Sequence, residues 1–277
     1  MKSLLFEDVI RDNVSGSGAI VRKVQQRLID FFHDKKVMTY AALNRDIQSL
    51  KTEFPQFGLL FHFLKAFEKT FSTSSQVEYA EVQRFVEQYR NQWNNVQHLA
   101  IRHLLESVNL EGKNILLHSN SSTVQQLFKS MSTGVQKPAI YQTLSSPANE
   151  GLVQAKSLKA LGFKITLFHE DALSKYVNKM DMAILGADLI LDDRFLNKIG
   201  SFGLVLLCRY FKKPVYVIAD RRKKYATHEL SENERALFEV EPPKPAEEII
   251  GQKIPGIKVL NEYFEFVPLN LVEALFV

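Results

Sequence analysis

The sequence has a single cysteine, Cys208, among its 277 residues. One thiol can supply neither a disulfide framework nor a zinc-binding cysteine cluster, so both kinds of scaffold are excluded. Because Cys208 lies in the apolar helical segment 203–211, we expect it to be a core residue rather than a nucleophile. The lack of a disulfide framework also indicates a reducing compartment.

Long hydrophobic runs and a strong charge of one sign are missing as well. No apolar run approaches the roughly eighteen residues of a membrane span, and the N-terminus reaches Glu7 and Asp8 too early for a signal peptide. We therefore expect a soluble, cytoplasmic protein. The net charge of +4 fits an anionic ligand but is too weak to indicate nucleic-acid binding.

Strand signals are scarce in the first part of the chain, where apolar residues recur at helical spacing. The sequence therefore predicts a helical N-terminal domain over residues 1–110. Its predicted helical segments are 18–36, 57–71 and 79–108. The aromatic-rich segment 57–71 is typical of a core helix or of a subunit interface.

From residue 111 onward the pattern changes to short apolar runs that alternate with helical segments. This alternation predicts an α/β fold with a Rossmann-like, mostly parallel sheet over residues 111–277. The predicted strands are NILLHS (114–119), AIYQTL (139–144), KITLFH (164–169), MAILGAD (182–188) and PVYVIAD (214–220).

Sheets of this kind bind ligands at the C-terminal ends of their strands, so the polar residues there are the candidates. His118, Ser119, Asn120 and Ser121 follow the first predicted strand. Such a strand-to-helix junction can hold a phosphate on free backbone N–H groups, or its serines can simply cap the next helix. The segment has no P-loop pattern.

Two further strand ends carry polar side chains. Ser146 and Glu150 follow the second strand and form either a capped turn or a hydrogen-bonding wall for a polyol. Asp188 ends the fourth strand, after Gly186, and we expect a loop to bring Asn197 and Lys198 back beside it. There Asp188 would accept hydroxyl protons and Lys198 would face a phosphate; the alternative is a turn cap and a solvated lysine.

Other polar segments are less informative. The basic segment 220–225 (DRRKKY) is interpreted as a solvated loop, with phosphate binding as a minor alternative. The histidines of the helical half lack metal-ligand spacing. We therefore predict no metal and no cofactor.

Together, four segments resemble the superfamily of the translation initiation factor 2B alpha, beta and delta subunits, which also contains methylthioribose-1-phosphate and ribose-1,5-bisphosphate isomerases. Residues 181–219 are similar to its Gly-Ala-Asp…Asn-Lys-Ile-Gly-Thr block, which is the most specific part. The other segments are 114–124, 145–173 and 263–275. The likeness covers about 113–277; before residue 110 it rests on SGSGAI (15–20) and the helical layout.

The resemblance implies a ligand pocket for a sugar phosphate or nucleotide between a helical and a Rossmann-like domain, and dimers formed through the C-terminal domains. By motif matching, Asp188 falls on the isomerases' catalytic acid and Ser119 on their catalytic cysteine. Asn197 and Lys198 fall on their substrate-binding pair.

The positions at which this chain differs from the isomerase pattern determine how much of the isomerases' function the resemblance implies for it. Ser119 replaces the cysteine, and its hydroxyl is far less acidic than a thiol. Ser146 replaces a motif arginine, and Ser15, next to Gly16, replaces an arginine of the N-terminal segment; Ser15 and Gly16 would still line the ligand site. A serine cannot replace the bidentate charge of arginine on a phosphate.

These departures favour an initiation factor 2B alpha-subunit-like protein that binds a phosphorylated sugar or nucleotide in a regulatory or assembly role without turnover. The alternative is an aldose–ketose isomerase of a phosphorylated pentose, with Asp188 and Ser119 as its catalytic residues. The expected partners are a second copy in a homodimer or higher oligomer and related factor subunits. We expect no direct contact with nucleic acid or membrane.

Overall fold

The structure is a computed structural model that describes residues 5–12, 15–35, 37–131, 136–252 and 254–277. The helices are α1 Glu7–Ile10, α2 Ser17–Lys35, α3 Tyr40–Glu53, α4 Gly58–Phe71, α5 Tyr79–Gln92, α6 Val96–Ser107, α7 Ser122–Lys129, α8 Glu150–Ala160, α9 Leu173–Tyr176, α10 Ser201–Tyr210, α11 Glu232–Phe238 and α12 Glu247–Ile250. The strands are β1 Val37–Thr39, β2 Gln76–Glu78, β3 Asn114–Leu117, β4 Ala139–Thr143, β5 Lys164–Phe168, β6 Met182–Leu185, β7 Leu189–Ile190, β8 Arg194–Lys198, β9 Val215–Ile218, β10 Phe264–Pro268 and β11 Ala274–Phe276. Within these ranges no helix has the length and hydrophobicity needed to cross a membrane.

The chain divides into two compact units. Unit 1 is Met1–Val96 with His228–Pro242, and unit 2 is Gln97–Thr227 with Pro243–Val277. Helix α6 groups with unit 2 because Ala100, Ile101 and Leu104 pack in the same apolar cluster as β3. The domain boundary expected after residue 110 stays a prediction, and the compact units differ from it at α6 and at 228–242.

Unit 1 is a helical unit built around an aromatic core. The side chains of α4 interlock with α5: Phe63 meets Tyr89 edge-on with ring centroids 5.0 Å apart, and Phe67 meets Phe85 at 5.3 Å. The segment 57–71 therefore contributes to the core of its own unit. Strands β1 and β2 form a short antiparallel pair that the sequence pattern did not indicate.

Unit 2 contains a six-stranded parallel sheet in the order β11-β9-β6-β3-β4-β5. All five predicted strands are confirmed, and so is the predicted α/β fold class; β11 adds the sixth strand. Side chains alternate along each strand, so Ile115 and Leu117 enter one apolar cluster while Leu116 enters another. Both faces of the sheet are thus buried, which explains why its strands are continuous apolar runs.

The predicted loop between Asp188 and Lys198 is wrong. Residues 189–198 form the antiparallel hairpin β7–β8, and β10 pairs with the other edge of β8 in a three-stranded sheet. Short strands joined by the charged Asp192-Asp193 turn lack the long apolar run that marks the parallel strands. Asn197 and Lys198 therefore lie on a strand.

The only cysteine provides a test of the core of unit 2. Cys208 is 1% exposed on α10, and burial raises the pKa of its thiol to about 12, although the charge of Lys213 partly opposes this. Because the thiolate is the reactive form, we expect Ellman's reagent to label the native protein very slowly and the guanidinium-unfolded protein at once. A Lys159→Cys change in a Cys208→Ser background is the exposed control. Rapid native labelling of Cys208 would contradict its burial.

Candidate functional site

The candidate site lies where the chain order of the parallel sheet reverses. From β3 the chain proceeds to β4 and β5 on one side, whereas β6 leads to β9 and β11 on the other. Such a switch point leaves a crevice at the C-terminal strand ends. The segments that follow β3 and β6 touch here: a Cβ added at Gly186 would lie 2.6 Å from Ser121 Oγ. Glycine at position 186 is what allows this approach.

The turn after β3 is held by side chains of the neighbouring elements. Ser119 has a positive φ of 69°, a conformation that disfavours residues with a Cβ. Its N–H donates to Ser145 Oγ (2.7 Å), and its carbonyl accepts from Gln142 Nε2 (3.2 Å). The N–H of Ser121 donates to Gln154 Oε1 (2.8 Å). These hydrogen bonds fix the direction of the Ser119 side chain.

The expected capping of α7 is confirmed, since Ser121 Oγ accepts from the N–H of Val124 (3.4 Å). The N–H groups of Ser119 and Ser121 are bonded to side chains, and that of Asn120 donates to Glu150. Phosphate binding by free N–H groups therefore does not fit these three residues as they stand.

Glu150 reaches over this turn from the start of α8. A Cβ added at Gly151 would lie 2.0 Å from the carbonyl oxygen of Thr143, so α8 begins in direct contact with β4. The Glu150 carboxylate accepts from Ser119 Oγ. Burial raises the pKa of Glu150; the charge of Lys198 and the hydrogen bonds from Ser119 and Asn120 oppose the rise, and the charge of Asp188 adds to it.

Lys198 places a buried ammonium behind this carboxylate. Its side chain is 1% exposed, and its Nζ lies 3.8 Å from Glu150 Oε2. The same nitrogen lies 4.2 Å from the centroid of the Tyr263 ring. A carboxylate and an aromatic face both stabilise a desolvated cation.

Asp188 forms a second ion pair at the opening of the crevice at the C-terminal strand ends, which is called the mouth below. Lys223 Nζ donates to the carbonyl of Ala187 (2.6 Å) and lies 3.4 Å from Asp188 Oδ1. The interpretation of 220–225 as a solvated loop is therefore wrong for part of the segment. Lys223 is buried, and Asp220 is fully buried and bound by the guanidinium of Arg222 at 2.9 and 2.7 Å.

His118 links the strand ends beneath the mouth. Its Nε2 faces the carbonyl of Ile199 (2.9 Å), so Nε2 carries the proton and Nδ1 accepts from Thr143 Oγ1 (2.7 Å). Burial holds the pKa of this imidazole below its usual value, although the contact with the Ile199 carbonyl and the charge of Glu170 oppose the effect. Both ring nitrogens of His118 are thus bonded within the protein.

The structure brings only part of the predicted set together. Ser119, Glu150 and Lys198 are in contact, and Asp188 lies close enough to act on Glu150. Asn197 points elsewhere because successive strand side chains alternate; its amide donates to Ser201 Oγ (2.9 Å), which in turn donates to the Lys198 carbonyl (2.6 Å).

Other predicted residues also have different contacts. Asn120 Oδ1 accepts from Gln125 (2.6 Å), and Ser146 Oγ bonds to Asn149 (3.2 Å). Ser15 belongs to unit 1 with Gly16, and its N–H donates to Asp12 Oδ1 (2.9 Å). The roles of Ser146, Ser15 and Gly16 in a ligand site stay predictions.

Several residues of the site were not predicted from the sequence. Their shared feature is burial beside a residue of the site: Gln142, Ser145 and Gln154 bond to the turn after β3, Lys223 lies beside Asp188, and Tyr263 lies beside Lys198. Gln142 interrupts an apolar strand and Gln154 an apolar helix face, which was a usable signal; their side chains bond to each other (3.0 Å). Within the described part of the chain, no group of three or more His, Cys, Asp or Glu residues is placed to hold a metal.

Comparison with known proteins identifies relatives of this chain. A sequence model of the Initiation factor 2 subunit family matches residues 13–277. The chain is 28% identical to the ribose 1,5-bisphosphate isomerase of Methanocaldococcus jannaschii over 167 residues, which is 60% of this chain and 53% of that protein. The chain spans about half the length of the curated relatives it matches (52–56% for three of them).

Solved structures share the fold. The Pyrococcus horikoshii OT3 translation initiation factor eIF-2B superposes with a TM-score of 0.78 at 19% identity, over 98% of this chain and 93% of that one. A chain of the tetrameric eIF2B-beta2-delta2 complex from C. thermophilum gives 0.63 at 16% identity, over 98% and 86%. At these identities the likeness concerns the fold alone.

The contact at Gly186 can be tested by substitution. In Gly186→Ala the new methyl meets Ser121, so we expect a loss of about 1–3 kcal/mol in the free energy of unfolding, measured by urea titration. Adding Ser121→Gly removes the obstructing atoms and should restore most of it, because glycine is tolerated at an N-cap. Gly203→Ala on α10, where nothing lies within 4 Å of the added Cβ, is the matched control and should be neutral or stabilising. Equal losses at 186 and 203 would contradict the packing.

The environment of His118 predicts a pH dependence. Its pKa is lowered in the folded protein, so as pH falls below 6.5, the ordinary value, the unfolded chain binds a proton that the folded chain does not. We expect the free energy of unfolding to fall by up to about 1.4 kcal/mol per pH unit from this group. His118→Gln, which keeps a donor and an acceptor but does not titrate, should lack this loss. Parallel pH profiles of the two proteins would refute the assignment.

Proposed function

The chain belongs to the Initiation factor 2 subunit family, and from this premise we propose that it binds a phosphorylated sugar or nucleotide at the ends of β3 and β6. In this proposal it is an initiation factor 2B alpha-subunit-like protein with a regulatory or assembly role. The ligand is held and released without chemical change.

The convergence of two carboxylates and two ammonium groups on one mouth carries the proposal. Glu150 and Asp188 have 25% and 19% of their side chains exposed, whereas Lys198 and Lys223 have 1% and 9%. An entering ligand meets carboxylate oxygens, which accept hydrogen bonds from sugar hydroxyls. The lysines behind them balance added negative charge in a region of low dielectric constant.

Ser119 supports binding without turnover. The resemblance places it where the isomerases have cysteine, and its hydroxyl donates to Glu150. A serine hydroxyl does not ionise at neutral pH, so it cannot exchange a proton as a tuned thiol does. Asp188, at the position of the catalytic acid, is paired with Lys223.

A specific observation also supports the isomerase alternative. Glu150 has a raised pKa beside the second carboxylate of Asp188, and two carboxyl groups in unequal environments are a recurrent arrangement for moving protons. In this alternative Glu150 and Asp188 would transfer protons in an aldose–ketose isomerisation of ribose-1,5-bisphosphate or methylthioribose-1-phosphate. Ser119 would orient Glu150 instead of acting as an acid.

The assembly role extends the family resemblance. We propose a homodimer formed through the Rossmann-like part of the chain, in the cytoplasm, with related factor subunits as further partners. The shared fold with a subunit of a tetrameric complex supports this. Light scattering of the purified chain tests the dimer directly.

Binding can be tested with Lys198→Met, which removes the ammonium but keeps the apolar stem. We expect ribose 5-phosphate, ribose-1,5-bisphosphate or AMP to raise the melting temperature of the wild-type protein, and the affinity of Lys198→Met to be weaker by about tenfold or more. Lys159→Met, an exposed lysine on α8, is the matched control and should bind normally.

Carbon-13 NMR of incubations with ribose-1,5-bisphosphate and with methylthioribose-1-phosphate separates the two functions, because an aldose–ketose isomerisation leaves the mass unchanged but creates a ketone carbon. The proposal expects every phosphorylated sugar to be recovered unchanged. Turnover of ribose-1,5-bisphosphate or methylthioribose-1-phosphate that Asp188→Asn abolishes would replace it with the isomerase. Equal binding by Lys198→Met and wild type would count against both.

A further inference from the structure

Tyr263, the first residue of the segment 263–275, stands next to the buried ammonium of the site. It directly precedes β10, is 6% exposed, and its carbonyl accepts from the N–H of Ile199 (2.7 Å). This bond extends the β8–β10 ladder by one residue past Lys198. The ring face of Tyr263 is thereby placed 4.2 Å from Lys198 Nζ.

The Tyr263 ring adds to the stabilisation of the Lys198 ammonium that the Glu150 carboxylate provides. Glu150 Oε2 lies 3.8 Å from Lys198 Nζ, which is longer than a charge-assisted hydrogen bond. An ammonium with a 1% exposed side chain has lost nearly all of its hydration, which is expensive unless other groups replace it. An aromatic face within about 6 Å attracts such a cation, most strongly where water is excluded.

The orientation of the ring is itself fixed by a small cluster, which we call the clasp: Pro245, Glu248, Asn261 and Tyr263. The Tyr263 hydroxyl donates to Glu248 Oε2 (2.5 Å). Asn261 Nδ2 donates to the same oxygen (2.8 Å) and to the Pro245 carbonyl (2.6 Å). The clasp therefore connects the start of α12 to the start of β10 through the residue that covers Lys198.

We propose that Tyr263 is a positioning residue of the ligand site: its ring holds the ammonium of Lys198 against Glu150, and the clasp sets the angle of the ring. The ring acts on the ligand only through Lys198. The effect on ligand affinity rests on the proposed function, whereas the effect on Lys198 does not.

The test compares Tyr263→Leu, which removes the ring, with Tyr263→Phe, which removes only the hydroxyl. The primary readout is the rate of acylation of Lys198 by acetic anhydride, followed by mass spectrometry of the full-length chain after digestion. We expect the rate to rise about tenfold in Tyr263→Leu, because the ring no longer covers the Lys198 nitrogen and no longer holds it against Glu150. Tyr263→Phe keeps the ring but loses its hydroxyl bond to the clasp, so its rate should lie between those of wild type and Tyr263→Leu.

Tyr176 provides a matched control in the same unit. Lys179 Nζ lies 5.4 Å from the centroid of its ring, so Tyr176→Leu removes a comparable lysine–tyrosine contact away from the site. It should leave the acylation of Lys198 unchanged. Labelling of Cys208 in each variant reports whether unit 2 remains folded.

The outcomes decide between positioning and a purely structural role. An unchanged Lys198 rate in Tyr263→Leu overturns the proposal, and so does a Phe variant that behaves like Leu. If Tyr263→Leu exposes Cys208, then Tyr263→Met is measured in its place, and exposure of Cys208 there too overturns the proposal. Ribose 5-phosphate binding is the second readout: affinity should fall in Tyr263→Leu and fall less in Tyr263→Phe. Absence of binding by wild type would reject the proposed function while the acylation result still decides the role of Tyr263.

Discussion

The pairing of Lys198 with Glu150 is the interaction on which the rest of the site depends. A charged group with 1% of its side chain exposed is stable only if the surrounding atoms replace the lost water. Several unrelated features of the chain meet this need together. Gly151 lets α8 start against β4, which brings Glu150 over the turn, and Tyr263 closes the other side of the ammonium.

A second constraint is the charge balance of the mouth. Lys198 with Glu150 and Lys223 with Asp188 form two pairs of opposite sign, so these four side chains carry no excess charge among them. Burial also acts on two titratable members of the site: it lowers the pKa of His118 and raises that of Glu150. Both shifts reduce the tendency to place charge in the interior. A ligand that brings negative charge therefore changes a balanced system, and protonation of Glu150 is the change that would compensate it.

The fold was predictable because its signals are local. Each parallel strand is an apolar run buried on both faces, and the helices between them have regular spacing. Part of the site was predictable for the same reason, since Ser119, Glu150 and Asp188 directly follow strands of this sheet. Lys198 contacts Glu150, although it arrives there on a strand. Asn197, one residue earlier, points to Ser201 because a strand alternates its side chains and a loop need not.

The residues that were not predicted reach the site through contacts between segments that are far apart in the sequence. Lys223 lies 35 residues after Asp188, and its basic neighbours make it resemble a solvated loop. Tyr263 reaches Lys198 only because β10 pairs antiparallel with β8 in one particular register, with Phe264 opposite Lys198. The local sequence around residue 263 does not indicate the register in which β10 pairs with β8. A shift of one residue would turn the ring away from Lys198.

A serine rather than a cysteine at position 119 fits this charge arrangement. A thiolate beside Glu150 would add a negative charge next to a carboxylate whose pKa is already raised, and like charges at short range disfavour each other. The serine hydroxyl instead donates a hydrogen bond to Glu150 and adds no charge. The site thus combines two lysines and two carboxylates with a hydrogen-bond donor at the strand end. That combination supports the proposed binding without turnover.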